Sequence, residues 1–256
     1  MSTLNGASSV VKDGLVFYVD PASPSSFVGT GSVFYDRTTN NLIGSLIGTP
    51  SVAYFRPENG GIFRLHTTAP SGFASGRTAS NYIKFGTGVP VTGLTNSSMS
   101  IFVRILQNTG HENAAILFSR YGTTTNNGGF QLTYGTNNQK FYLEHRTGGI
   151  TSDYYGGASS TTTAVLNTWY QVCATIEGNQ RKLYINGQLE MATQSGYGNT
   201  ASYISLNTYI GNQSDVDTSF SYYACIDFSC AMIYNRALSA SEVSQNFNVL
   251  RYRFGI

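Results

Sequence analysis

"TWYQVCATIEGNQRKLYINGQLEMATQ", residues 168–194, decides how this chain folds. Runs rich in Val, Ile, Tyr and Leu flank Asn186-Gly187. Such a dipeptide between apolar strands is the strongest short hairpin signal, because both turn residues must accept positive φ. The hairpin places 181–187 and 188–194 side by side and leaves 168–178 as a further strand.

Working outward, the same period of two recurs in 14–20, 81–86, 98–107, 114–122, 129–135, 139–146, 206–212 and 222–235, separated by Gly, Asn and Thr clusters. Each reads as a strand. In the last, Ile226, Phe228, Cys230, Met232 and Tyr234 fall on one face, and Cys225, Asp227, Ser229, Ala231 and Ile233 on the other. Many strands without intervening helices predict an all-β fold, either two antiparallel sheets packed face to face, which is the favoured reading, or a closed barrel. Segment 36–80 has weaker periodicity and predicts edge strands and long loops. "GTTTNNGG" (122–129) and "GGASSTTT" (156–163) read as turns. No composition shift marks a second domain, so 13–256 reads as one unit behind a patternless arm, 1–12.

One helix is predicted, over 240–250 and followed by a tail, 251–256. Ser239 and Glu242 have capping-box spacing, in which each side chain satisfies an otherwise unpaired N–H at the helix start. Val243, Phe247 and Leu250 follow on one stripe, which must dock on the sandwich.

Composition narrows the setting. The 256 residues include 18 Tyr and 15 Phe, but only 11% are charged, against about 25% in ordinary soluble domains. The surface is therefore Ser, Thr, Asn, Gly and Tyr. A net charge of +2, without a Lys/Arg cluster before the tail, lacks the footprint of a nucleic-acid binder. No apolar run approaches the ~18 residues of a membrane helix, and "MSTLNGASSVVKDG" has no signal-peptide pattern. A product made in the cytoplasm and exposed afterwards fits, as does export by another route. Cys173, Cys225 and Cys230 are too few for a disulfide framework and read as buried free thiols.

"NTWYQVCATIEGNQRKLYINGQLE" (167–190) resembles the central hairpin of laminin G-like, concanavalin A-like lectin/glucanase jelly-roll domains. "IDFSCAMIYNRALSASEV" (226–243) resembles the closing strand and short helix of the same family. The N-terminal "VVKDGLVFYVDPASPSSFVGTGSVFYDRTTNN" and the ending "QNFNVLRYRFGI" are similar to a subgroup found in virion structural proteins of tailed bacteriophages. Where that subgroup carries Ser-Gly-Asn-Gly after an aspartate, this chain has "DRTTNN" at Asp36–Asn41, so a function resting on that loop does not carry over. The resemblance implies a jelly-roll sandwich and a place on a virus particle.

Glycoside hydrolases of this fold carry their acids as Glu-x-Asp-x-Glu on one strand, and no such run occurs here. Two carboxyl groups roughly 5–5.5 or 6.5–9.5 Å apart are needed, and Glu144 and Asp227 each stand alone in their strands. His66, His111 and His145 sit in no nucleophile context, and no Gly-x-Ser-x-Gly elbow is present. Asn212, Asp215 and Asp217 supply the oxygens that calcium takes, against the simpler reading of an Asx-rich turn; no other cofactor is implied. Tyr154, Tyr155 and Tyr197, in Gly-rich loops, are candidates for a protein interface or a sugar face. Trp169 reads as structural, while Arg251, Arg253 and Phe254 are candidates for docking on the chain itself or a neighbouring copy.

The expectation is a non-enzymatic surface protein of a tailed-phage particle, a capsid decoration or a fibre or tail component. Its expected partners are major capsid or tail proteins and further copies of itself, with host glycan adhesion in addition. A carbohydrate-binding module for host polysaccharide is the alternative, and a glycoside hydrolase a lower one. Neither nucleic acid nor membrane is an expected partner.

Overall fold

The computed structural model describes residues 9–48, 54–65, 81–91, 96–108, 114–121, 129–146, 155–194, 206–212 and 224–256. In chain order the strands are β1 (Leu15–Val19), β2 (Val33–Tyr35), β3 (Ile43–Ile47), β4 (Tyr54–Arg56), β5 (Ile62–Arg64), β6 (Tyr82–Phe85), β7 (Asn96–Ile105), β8 (Ala114–Tyr121), β9 (Gly129–Gly135), β10 (Lys140–Arg146), β11 (Tyr155–Thr163), β12 (Trp169–Glu177), β13 (Gln180–Ile185), β14 (Gln188–Gln194), β15 (Thr208–Ile210) and β16 (Ile226–Tyr234). Helix α1 (Ala240–Leu250) follows.

These form two antiparallel eight-stranded sheets. The first runs β14-β13-β12-β7-β16-β5-β4, with β1 beside β16, and the second β11-β10-β9-β8-β15-β6-β3-β2. The Asn186-Gly187 turn forms with φ of 50° and 77° and pairs Ile185 with Gln188. Alternation sends one face of each sheet into a shared core, where Phe17 meets Phe85 edge-on at 4.8 Å and Phe34 meets Phe63 at 5.0 Å. Gly44 makes room there, since a Cβ would lie 2.4 Å from the Phe85 ring.

The two sheet edges differ. On one side Glu190 of β14 accepts from the Thr162 amide (2.8 Å) and from the Thr161 and Thr162 hydroxyls, lacing the first sheet to β11 of the second. On the other, between β4 and the loop before β2, a cleft of about 400 Å³ stays open.

Three expectations change. Residues 156–163 form most of β11 rather than a turn, because pairing with β10 organises a run whose Gly, Ser and Thr carry no apolar alternation. The turn expected at 122–129 lies outside the described residues up to 128, and Gly129 opens β9. Strand β16 does not keep one alternation. Its register against β7 shifts between Phe228 and Ala231. Ile226, Phe228, Ala231 and Ile233 therefore join the inter-sheet core, while Cys230, Met232 and Tyr234 join a second cluster outside the first sheet. An extra residue at a β-bulge flips every side chain beyond it. Segment 36–80 does supply an edge strand, β4, but β3 and β5 lie inside the sheets; at three to five residues they are too short to show a period.

The second cluster lies under α1. The capping box forms, with Glu242 accepting from the Ser239 amide at 2.9 Å and Ser239 accepting from the Glu242 amide at 3.3 Å. Val243, Phe247 and Leu250 are buried, together with Asn246 on the same stripe. Asn246 accepts from the Val11 amide (2.8 Å) and donates to Tyr234 Oη (3.0 Å), which donates to the Val11 carbonyl (3.0 Å). Residues 9–12 are thereby tied to the helix; 1–8 lie outside the described residues.

Candidate functional site

The tail closes over the same outer face of the first sheet. Phe254 packs on Phe102 (5.0 Å) and Trp169 (4.6 Å). The Arg253 guanidinium donates to Asp20 (2.9 Å), Ser229 (3.0 Å), Cys230 Sγ (3.2 Å) and the Asn59 and Gly61 carbonyls. The β16 bulge lets consecutive residues, Ser229 and Cys230, face one cation. Arg251 lies over the rings of Phe247 and Tyr252. Arg253 and Phe254 are thus engaged within their own chain.

Charges on this face are matched. Asp227, fully buried, is gripped by Arg64 (2.6 and 2.7 Å) and by Arg104 (2.9 and 2.5 Å), and Arg104 also holds Glu58 at 2.8 Å. Two carboxylates thus meet on one guanidinium, whose N–H groups occupy their oxygens. Asp36, in the "DRTTNN" loop, accepts from the Tyr18 and Thr38 amides and the Thr38 hydroxyl, so this loop ties β1 to β2. The three cysteines are free and buried, and burial pushes the Cys173 and Cys230 thiols up to about 12.

The outer face of the second sheet has another chemistry. In β9, Phe130, Leu132 and Tyr134 enter the core, which turns Gln131 and Thr133 outward; in β10, Phe141 and Leu143 do the same for Tyr142 and Glu144. Strand register lines up one residue from each of six neighbours: Ser45, Lys84, Tyr209, Ser119, Gln131 and Glu144. At strand spacing the row spans roughly 24 Å. Gln131 Nε2 donates to Glu144 at 2.6 Å and Thr133 Oγ1 at 3.1 Å, so the carboxylate is held by neutral donors. Gln131 is 1% exposed, and its Oε1 accepts no hydrogen bond. Tyr82 lies 6.1 Å from Tyr209 of the row, and Asn207 donates to the Tyr209 hydroxyl. Beneath it, Arg120 is fully buried and donates to the Val89 carbonyl at 2.8 Å; burial pulls its guanidinium down to about 10.

Such a row can hydrogen-bond a chain of hydroxyl-bearing rings where its members reach the surface, as Ser45, Lys84 and Glu144 do. A family model described as "Concanavalin A-like lectin/glucanases superfamily" matches residues 77–244, which hold five of the six row strands. The chain belongs to this superfamily. No curated protein sequence matches it. Among solved structures, a mutant Trypanosoma rangeli sialidase displaying trans-sialidase activity is similar at TM-score 0.63 and 17% identity, over 94% of this chain and 34% of that one. The binding domain of botulinum neurotoxin serotype D/C gives 0.63 and 12%, over 93% and 53%. The receptor binding domain of botulinum neurotoxin type G gives 0.59 and 12%, over 93% and 51%. The chain thus spans a third to a half of these proteins, and at such identities the likeness is one of fold.

Within this superfamily member, the residues singled out from the sequence fall partly inside and partly outside the described set. Asp215, Asp217, Tyr154, Tyr197, His66 and His111 lie outside the described residues. Tyr155 opens β11 in register with His145, and the side chains of both lie outside the described set. Asn212 is buried, and its carbonyl accepts from the Ser119 hydroxyl at 2.7 Å. Among the described residues no three His, Cys, Asp or Glu side chains cluster as metal ligands. Ser119, Gln131, Thr133 and Tyr209 were not singled out from the sequence. Their signal was the polar half of each strand's alternation, which becomes a row only once the register is known.

Proposed function

We propose that this protein is a non-enzymatic carbohydrate-recognition domain that binds a glycan chain along the outer face of the second sheet. The observation that carries the reading is the six-strand polar row, which reaches the surface at Ser45, Lys84 and Glu144, with the Glu144 carboxylate fixed from beneath by Gln131 Nε2 and the Thr133 hydroxyl. Sugar hydroxyls both donate and accept, which suits a carboxylate, an ammonium and a hydroxyl set along one row. Membership of a lectin/glucanase superfamily supports the ligand class, as do neighbours named as a sialidase and as receptor binding domains. Among the described residues the other carboxylates lie in the first sheet, its loops or α1, or, for Asp36, in the β2–β3 loop, where its oxygens accept from Tyr18 and Thr38.

The setting we propose is the surface of a tailed-phage particle, where the domain decorates the capsid or belongs to a fibre or tail and holds the virion near its host. The terminal stretches and the weakly charged surface support it. A glycan array with the purified chain tests recognition. Saturable binding to a subset of polysaccharides, without shortening them on incubation, is expected. Chain shortening would replace the reading with a hydrolase, and no binding to any glycan would remove it. A particle reconstruction in which the chain is absent would remove the virion setting alone.

A further inference from the structure

Two Asn-Gly pairs, Asn59-Gly60 and Asn186-Gly187, lie among the described residues. An asparagine loses its amide most readily before glycine, which puts no side chain in the way of its own nitrogen. Hydroxide takes the proton of that nitrogen, which then attacks the Asn Cγ. A C–N bond closes a succinimide ring, and the former Nδ2 leaves as ammonia. One water opens the ring at either carbonyl, giving aspartate or isoaspartate. Closure requires the Asn side chain and the peptide after it to swing together, so whatever holds them prevents it.

Both pairs are held, by different parts of the molecule. Asn186 Oδ1 accepts from the Gln171 amide at 2.8 Å, and the Asn186 amide donates to the Gln171 carbonyl at 3.0 Å. Gly187 is buried under α1, where a Cβ would lie 3.1 Å from the Phe247 ring. The guards of Asn186 are therefore β12 and the helix. Asn59 sits in the turn Glu58–Gly60 between β4 and β5, at φ 54° and ψ 30°, and Gly60 after it is exposed. Its Nδ2 donates to the Arg253 carbonyl, and its own carbonyl accepts from Arg253 Nε at 3.1 Å. The guard of Asn59 is the tail.

We infer that Asn59 is a deamidation site gated by the C-terminal tail, closed while Arg253 is docked and open to conversion whenever residues 251–256 lift. A short terminal segment opens at a lower free energy than the whole fold, whereas Asn186 is freed only when α1 parts from the first sheet. Aspartate at 59 has no N–H to return to the Arg253 carbonyl, so each conversion removes one mooring of the tail for good.

Peptide mapping by mass spectrometry, after the full chain has been held at mildly alkaline pH, tests this. The chain in denaturant, where neither pair is held, sets the unguarded rates, and both sites in the native chain are expected to react at least about tenfold more slowly. Arg253→Ala is expected to speed loss at Asn59 by at least about tenfold and to leave Asn186 at its native rate. Phe254→Ala, which takes the tail's ring off Phe102 and Trp169 but keeps both partners of Asn59, is expected to speed Asn59 less, again without Asn186. Asn59 reacting at its unguarded rate in the native chain would overturn the inference, as would no acceleration in either variant. Equal rises at Asn59 and Asn186 in both variants would overturn it too, because the gate would then be the whole fold.

Discussion

The outer faces of the two sheets are built from the same alternation and end in opposite conditions. On the first, α1, the tail and residues 9–12 cover Phe102, Trp169 and Tyr234, and Asp20 and Asp227 there are paired with Arg253, Arg64 and Arg104. On the second, a six-strand row stays polar and keeps an unmet acceptor at Gln131. The difference teaches where recognition belongs. A face sealed by its own chain contributes stability, and on the other Ser45, Lys84 and Glu144 reach the surface where a ligand can meet them.

The largest expected effect comes from unsealing the first face. Arg253→Ala leaves Asp20, 5% exposed, without its cation, and breaking such a pair costs about 3 kcal/mol. Denaturant unfolding should show that loss while glycan binding by the remaining folded protein is unchanged. A stable variant with lost binding would mean that the two faces are not separate.

A smaller effect is expected at the helix cap. Hydrogen bonds from Arg236 hold the Glu242 carboxyl down at about 2, from an ordinary value of 4.5. A group with a depressed folded pKa stabilises above its unfolded value and loses that contribution as pH falls through the folded one. The sealed face should therefore weaken between pH 4.5 and about 2. The pair is partly solvated, so Glu242→Gln should cost only about 0.5 kcal/mol at neutral pH. It should also flatten the acid limb of thermal stability. An unchanged acid limb would mean that the cap contributes nothing to the seal.

Much of the sealed face could be read from the sequence, because its signals are local. Ser239 and Glu242 sit three apart, Val243, Phe247 and Leu250 share a stripe, and Asn186-Gly187 names its own turn. The β16 bulge could not be read, since the extra residue is visible only against β7. Strand β11 was hidden because backbone pairing with β10, not side-chain pattern, organises its glycines and hydroxyl residues. The polar row was the least legible. Ser119, Gln131 and Glu144 come from separate strands, and only the registers of β8, β9 and β10 set them side by side.

Backbone amide shifts during titration with a glycan selected on the array test most directly whether recognition belongs to the second sheet. Saturable changes at Ser119, Gln131, Thr133 and Glu144, abolished by Gln131→Ala and absent at Phe102 and Phe254, are predicted. Shifts confined to the first sheet, or a titration that Gln131→Ala leaves unaltered, would contradict the account.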